Sequence, residues 1–69
     1  MKTFGQILRQ KRKEKELAQW ELAEEIGVNQ RTVSTWEKGQ RCPTLFTAIA
    51  IADVLDCSLD ELVGREAKG

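Results

Sequence analysis

The segment Gln19-Trp20-Glu21-Leu22-Ala23-Glu24-Glu25-Ile26-Gly27-Val28-Asn29-Gln30-Arg31-Thr32-Val33-Ser34-Thr35-Trp36-Glu37-Lys38-Gly39 decides how this 69-residue chain folds. Leu22, Ala23 and Ile26 recur at helical spacing, and Gly27 supplies the residue that can take the left-handed conformation ending a helix. Asn29 is then a good N-cap for a following helix. In it Val33 and Trp36 lie three apart and face inward, while Gln30, Arg31, Ser34 and Thr35 fall on the other side, and Gly39 closes it. Ala23 must be small where the second helix crosses close over the first, and Gly27 accepts positive φ without a Cβ clash. A Gly between two helices is common, however, and by itself this pattern fits any αα-corner.

Outward from this pair the same signals repeat. Thr3 caps a first helix, with Gln6 completing a capping box and Phe4, Ile7 and Leu8 forming an apolar stripe that fades near Lys15. Pro43 lies just ahead of Thr44, the cap of a fourth helix to about Leu55, and Ser58 with Glu61 opens a last short helix through Val63 with Gly64 behind it. No segment alternates like a strand, so the chain reads as all-α with five helices. Helices this short are marginal alone and must be held by packing. The expected core is Phe4, Ile7, Leu8, Leu17, Leu22, Ala23, Ile26, Val28, Val33, Trp36, Leu45, Ala48, Ile51, Ala52, Leu55, Cys57, Leu59 and Leu62.

Length and 41% hydrophobic content allow one domain with one core. No run approaches the apolar length of a membrane span and the start has no apolar signal core, so the expectation is a soluble, cytoplasmic chain. Cys42 and Cys57 read as free thiols, and with no His and no third Cys neither a metal nor another cofactor is expected. Missing His also removes the usual general base, no Gly-rich loop cradles a phosphate, and neighbouring carboxylates such as Glu24 and Glu25 diverge on a helix; the chain does not read as an enzyme.

The net charge of zero conceals segregation: residues 1–15 carry +5, 16–37 carry −4, 38–44 carry +2 and 45–69 carry −3. The two basic segments, if adjacent in the fold, form a positive face suited to a polyanion; the plainer reading is a solvated surface.

The Gln19–Gly39 stretch, continued by Pro43-Thr44-Leu45, Ile51-Ala52 and Leu55-Asp56-Cys57-Ser58-Leu59-Asp60-Glu61-Leu62, resembles the phage repressor/Cro helix-turn-helix proteins, or XRE family. The resemblance covers about residues 3–63 and implies a five-helix, lambda-repressor-like DNA-binding domain, with 64–69 as a flexible tail. It further implies a third helix lying in the major groove of double-stranded DNA and a homodimer on a two-fold symmetric operator. By match to the family's recognition helix, Gln30, Arg31, Ser34 and Thr35 face base edges; Gln suits adenine and Arg suits guanine. Gln19 matches a phosphate clamp at a helix N-terminus, and Asn29, Lys38 and Arg41 flank the recognition helix as further phosphate contacts. Lys2, Arg9 and Lys13 are weaker candidates. Arg12 and Glu37 match an internal ion pair that orients the first helix against the end of the third.

The chain departs from the family pattern in places. Ala18 stands where a Ser, Thr or Asn cap is common, Glu16 and Asp56 where Gly is common, and Trp20 and Phe46 where polar residues are common. Between Leu45 and Leu55 only Thr47 and Asp53 are not hydrophobic. The side with Phe46, Ile49 and Ala50 therefore suggests a dimer contact, although scattered surface hydrophobes are also ordinary. The leading expectation is a transcriptional regulator, most simply a repressor. The alternative is an antitoxin-like or adaptor module that binds a protein partner through Trp20, Phe46 and their neighbours, with DNA secondary.

Overall fold

The computed structural model describes residues 2–64; of the expected tail, 65–69 lie outside the described residues. Five helices follow in order: α1 Phe4–Glu14, α2 Gln19–Ile26, α3 Gln30–Glu37, α4 Leu45–Leu55 and α5 Leu59–Leu62, with no strand among the described residues.

Four of the five helices start on side-chain caps that satisfy free N–H groups of the first turn. Thr3 Oγ1 accepts from the Gln6 N–H and the Gln6 Oε1 accepts from the Thr3 N–H. Asn29 Oδ1 accepts from the Arg31 N–H at 2.8 Å, Thr44 Oγ1 from the Thr47 N–H at 3.3 Å, and Ser58 Oγ from the Glu61 N–H at 3.0 Å. α2 is the exception, because Ala18 has no side-chain oxygen. It keeps only the reciprocal half of a capping box, in which Glu21 Oε1 accepts from the Ala18 N–H at 2.8 Å. Gly27 ends α2 at φ 78°, but Glu16 (φ 58°) and Asp56 (φ 54°) hold the left-handed region with a Cβ in place.

α2 packs on α3 and α4, α1 on α3 and α5, and α5 on α4. Leu8, Leu22, Val33, Ile51, Leu55 and Leu62 are fully buried at the centre, with Ala23, Trp36 and Ala52 beside them. Each large side chain taken out of water there contributes about 1.5–3 kcal/mol. Phe4, Leu17, Ile26, Val28, Cys57 and Leu59 are half-buried against this cluster, and Val54, absent from the expected core, joins them. Leu45 corrects the sequence reading: it is 65% exposed. In α4 the residues Ala48, Ile51, Ala52 and Leu55 share the inner face by helical spacing, and Leu45 starts the outer one.

Candidate nucleic-acid interface

α3 is gripped from behind in three ways. Val33 and Trp36 are buried in the core. At its C-terminal end α1 comes so close that a Cβ on Gly5 would lie 2.5 Å from the Glu37 carbonyl oxygen and 2.6 Å from that of Trp36. Two turns along the same face of α1, Arg12 reaches the Glu37 side chain: Nε donates to Oε2 at 2.7 Å and Nη2 to Oε1 at 3.1 Å. The Arg12 Nη1 also donates to the Leu17 carbonyl at 2.7 Å, and the Gln19 amide donates to Glu37 Oε1 at 3.1 Å. Both charged side chains are nearly buried, at 10% and 5% exposure, so in this low-dielectric setting each depends on the other. The expected ion pair is present and has a third member, Gln19.

The opposite side of α3 is open. Gln30 and Arg31 are exposed, and Ser34 and Thr35 are half-buried. Lys38 and Arg41 are exposed beyond its end. The ion pairs among the described residues are Lys11–Glu61, Arg12–Glu37 and Lys15–Asp56, which leave Arg31, Lys38 and Arg41 out. A cleft of about 240 Å³ lined by Arg31, Thr32, Thr35, Trp36 and Arg41 brings the loop after α3 onto the same side as the helix's outward residues. Within it, Thr35 Oγ1 donates to the Arg31 carbonyl at 2.8 Å. Asn29 uses Oδ1 for its cap, so its amide N–H groups remain for a ligand. The weaker candidates stand apart: Lys2, Arg9 and Lys13 line a shallow groove along α1 with Gln6, Gln10 and Glu14, and no α3 residue borders it.

The model of the helix-turn-helix family (HTH_3) matches residues 8–62. The chain belongs to this XRE-type family. Its sequence is 41% identical over 49 residues to the cryptic phage CTXphi transcriptional repressor RstR of Vibrio cholerae, covering 71% of this chain and 44% of that one. Among solved structures, the P22 c2 repressor in complex with a synthetic operator superposes with a TM-score of 0.90 at 27% identity, covering 96% of this chain and 100% of that chain. The biofilm regulator SinR in complex with DNA gives 0.81 at 34% identity, covering 87% and 97%. The chain spans about half the length of the curated relatives it matches. The helix-turn-helix here is thus part of an all-α, lambda-repressor-like fold.

Across this fold, the signals not legible in the sequence are those that depend on chain segments meeting. Gly5 sits inside a stretch that otherwise favours helix, and a glycine there is a local signal of a close approach. The contact of Gln19 with Glu37, and the presence of Thr32 and the Trp36 edge in the cleft, had no local signal. On α4 Phe46 is 81% exposed, Ile49 is exposed and Ala50 half-buried; with Leu45 they make an outer apolar strip. Among the described residues no helix is long and apolar enough to cross a membrane.

Proposed function

We propose that this protein is a sequence-specific DNA-binding transcriptional regulator, a repressor that binds a two-fold symmetric operator with α3 in the major groove. The observation that carries this is the division of α3: Val33 and Trp36 are buried, while Gln30 and Arg31 are exposed and Ser34 and Thr35 half-buried, beside two cations, Lys38 and Arg41, that have no ion-pair partner among the described residues. The four outward residues read base edges, with Gln30 on adenine and Arg31 on guanine. Gln19, Asn29, Lys38 and Arg41 hold phosphates, and the Glu37 carboxylate, fixed by Arg12, orients the Gln19 amide. The relatives solved on DNA support the reading. The outer strip of α4, Phe46, Ile49 and Ala50, meets a second copy, so that two α3 helices stand about 34 Å apart, one DNA turn.

Selection of duplexes from a random pool tests all parts together. The expected product is a pair of inverted half-sites about one turn apart, with log affinity falling against log salt at about −0.9 per phosphate neutralised. An unselected pool removes the reading. A second reading, an antitoxin-like or adaptor module, rests on the exposure of Trp20 (55%) and Phe46. It predicts a stable protein partner on co-purification and weak DNA binding without half-site symmetry.

A further inference from the structure

We propose that Thr35 selects thymine, through contact between its methyl group and the C5 methyl of the base; this rests on the reading of α3 as the helix in the major groove. The Thr35 hydroxyl donates to the Arg31 carbonyl one turn back, at 2.8 Å. A hydroxyl has a single proton to give. While that proton stays inside the helix, Thr35 does not donate to the acceptors of the major groove, which are guanine N7 and O6, adenine N7 and thymine O4. Its β-branched side chain is stiff at χ1, and the bond to the carbonyl holds it in one rotamer.

Two features of Thr35 remain for a base: the lone pairs of its oxygen and its methyl group. Thr35 lines a cleft with Arg31 and Arg41, whose guanidinium groups bring five N–H donors each and compete with any base amine for those lone pairs. The methyl has no such competitor. Thymine is the base that places a methyl in the major groove, and apolar contact with it is a known use of Thr. Four residues of helix advance about 6 Å, and base pairs step about 3.4 Å, so the thymine falls within two base pairs of the guanine assigned to Arg31.

Duplexes selected from a random pool by the full chain, by Thr35→Val and by Thr35→Ser decide the matter. The valine variant keeps the methyl and loses the oxygen, so it retains the thymine preference; the serine variant loses the methyl and the preference with it. Deoxyuridine in place of that thymine weakens the unmodified protein about fourfold, the effect of burying one carbon's worth of apolar surface, and leaves the serine variant nearly unchanged. 5-Methylcytosine recovers part of the loss. The opposite pattern, preference kept by serine and lost by valine, assigns the reading to the oxygen and overturns the proposal. So does an unmodified protein whose selected site tolerates deoxyuridine at every thymine, a measurement that needs no variant to fold. If the unmodified protein selects no sequence, the placement of α3 in the groove fails, which is a different result from a selected site indifferent to the thymine methyl.

Discussion

Arg12 and Glu37 form a two-pronged, nearly buried ion pair, 2.7 and 3.1 Å, that ties the last helical turn of α1 to the last residue of α3. A pair in this position stabilises mainly by being complete: taking two charges out of water costs about as much as their attraction returns, but removing one partner leaves the other stranded. Glu37→Gln keeps the shape and one acceptor and leaves a buried guanidinium without its counter-charge. The expected loss is about 3 kcal/mol, which in a domain of this size lowers the melting temperature by roughly 12 °C or more. Thermal denaturation followed by circular dichroism measures it, and an unchanged melting temperature would show that the pair has no such role.

Gly5 enforces the same junction from the backbone side. A methyl group there meets two carbonyl oxygens at 2.5 and 2.6 Å, and neither is the end of a flexible side chain. Gly5→Ala must therefore push α1 off α3, despite the better helix propensity of Ala. Overpacking of this kind costs typically 1–3 kcal/mol. Urea denaturation of the variant should show a lower midpoint at unchanged slope; a stabilised variant would mean that the helices do not approach this closely.

The turn between α1 and α2 carries two correctable strains. Glu16 holds φ 58°, a region that penalises a Cβ, and Ala18 caps α2 without an oxygen to offer. Glu16→Gly and Ala18→Ser should each raise stability by about 1 kcal/mol, or roughly 4–8 °C in melting temperature. A loss from Ala18→Ser would show that α2 does not begin at Gln19.

The α1–α5 contact sets a pH dependence. The hydrogen bond from Lys11 Nζ, at 3.3 Å, holds the Glu61 carboxyl below its ordinary value of 4.5, helped by the Ser58 backbone. A carboxyl whose folded pKa is depressed contributes stability above its unfolded value and loses it as pH falls through the folded one. The protein should therefore melt at progressively lower temperature below about pH 4.5, and Glu61→Gln should flatten that decline. At the alkaline end burial pushes the Cys57 thiol above its ordinary 9.0, so its contribution is present below pH 9 and lost as pH rises further; Cys57→Ala should flatten that side. Melting curves from pH 3 to 11 check both.

These cases also mark what the chain discloses locally. Caps are short-range chemistry, so Thr3 with Gln6, Asn29, Thr44, and Ser58 with Glu61 could be read directly, and the helix ends followed from them. The inner face of α3 was also legible, since polar residues surround Val33 and Trp36. α4 is apolar nearly all round, so periodicity cannot choose its inner face, and a reading by spacing alone places the exposed Leu45 in the core. Gly5 against Glu37, and Gln19 with Glu37, join residues far apart in sequence, and only the folded chain brings them together. Trp20 and Phe46 read as departures from the family pattern, and both are exposed.

The division of labour across the α3 surface makes a prediction with two separable outcomes. Arg31 is exposed on the outward face, where a guanidinium can make two parallel bonds to guanine O6 and N7. Lys38 follows the end of α3, where the proposed reading has its point charge meet phosphates whatever the sequence. Arg31→Ala should weaken binding to the selected site by about 1–3 kcal/mol and relax preference at one base pair, because only the matched duplex loses a contact. Lys38→Ala should weaken matched and mismatched duplexes alike and make the salt slope shallower by about 0.9, the release of one fewer counterion. Fluorescence anisotropy titrations on matched, mismatched and scrambled duplexes at several salt concentrations resolve the two. If Arg31→Ala lowers affinity equally for all three duplexes while Lys38→Ala alters preference, the roles are exchanged, and α3 lies in the groove at a different angle from the one its buried Val33 and Trp36 define.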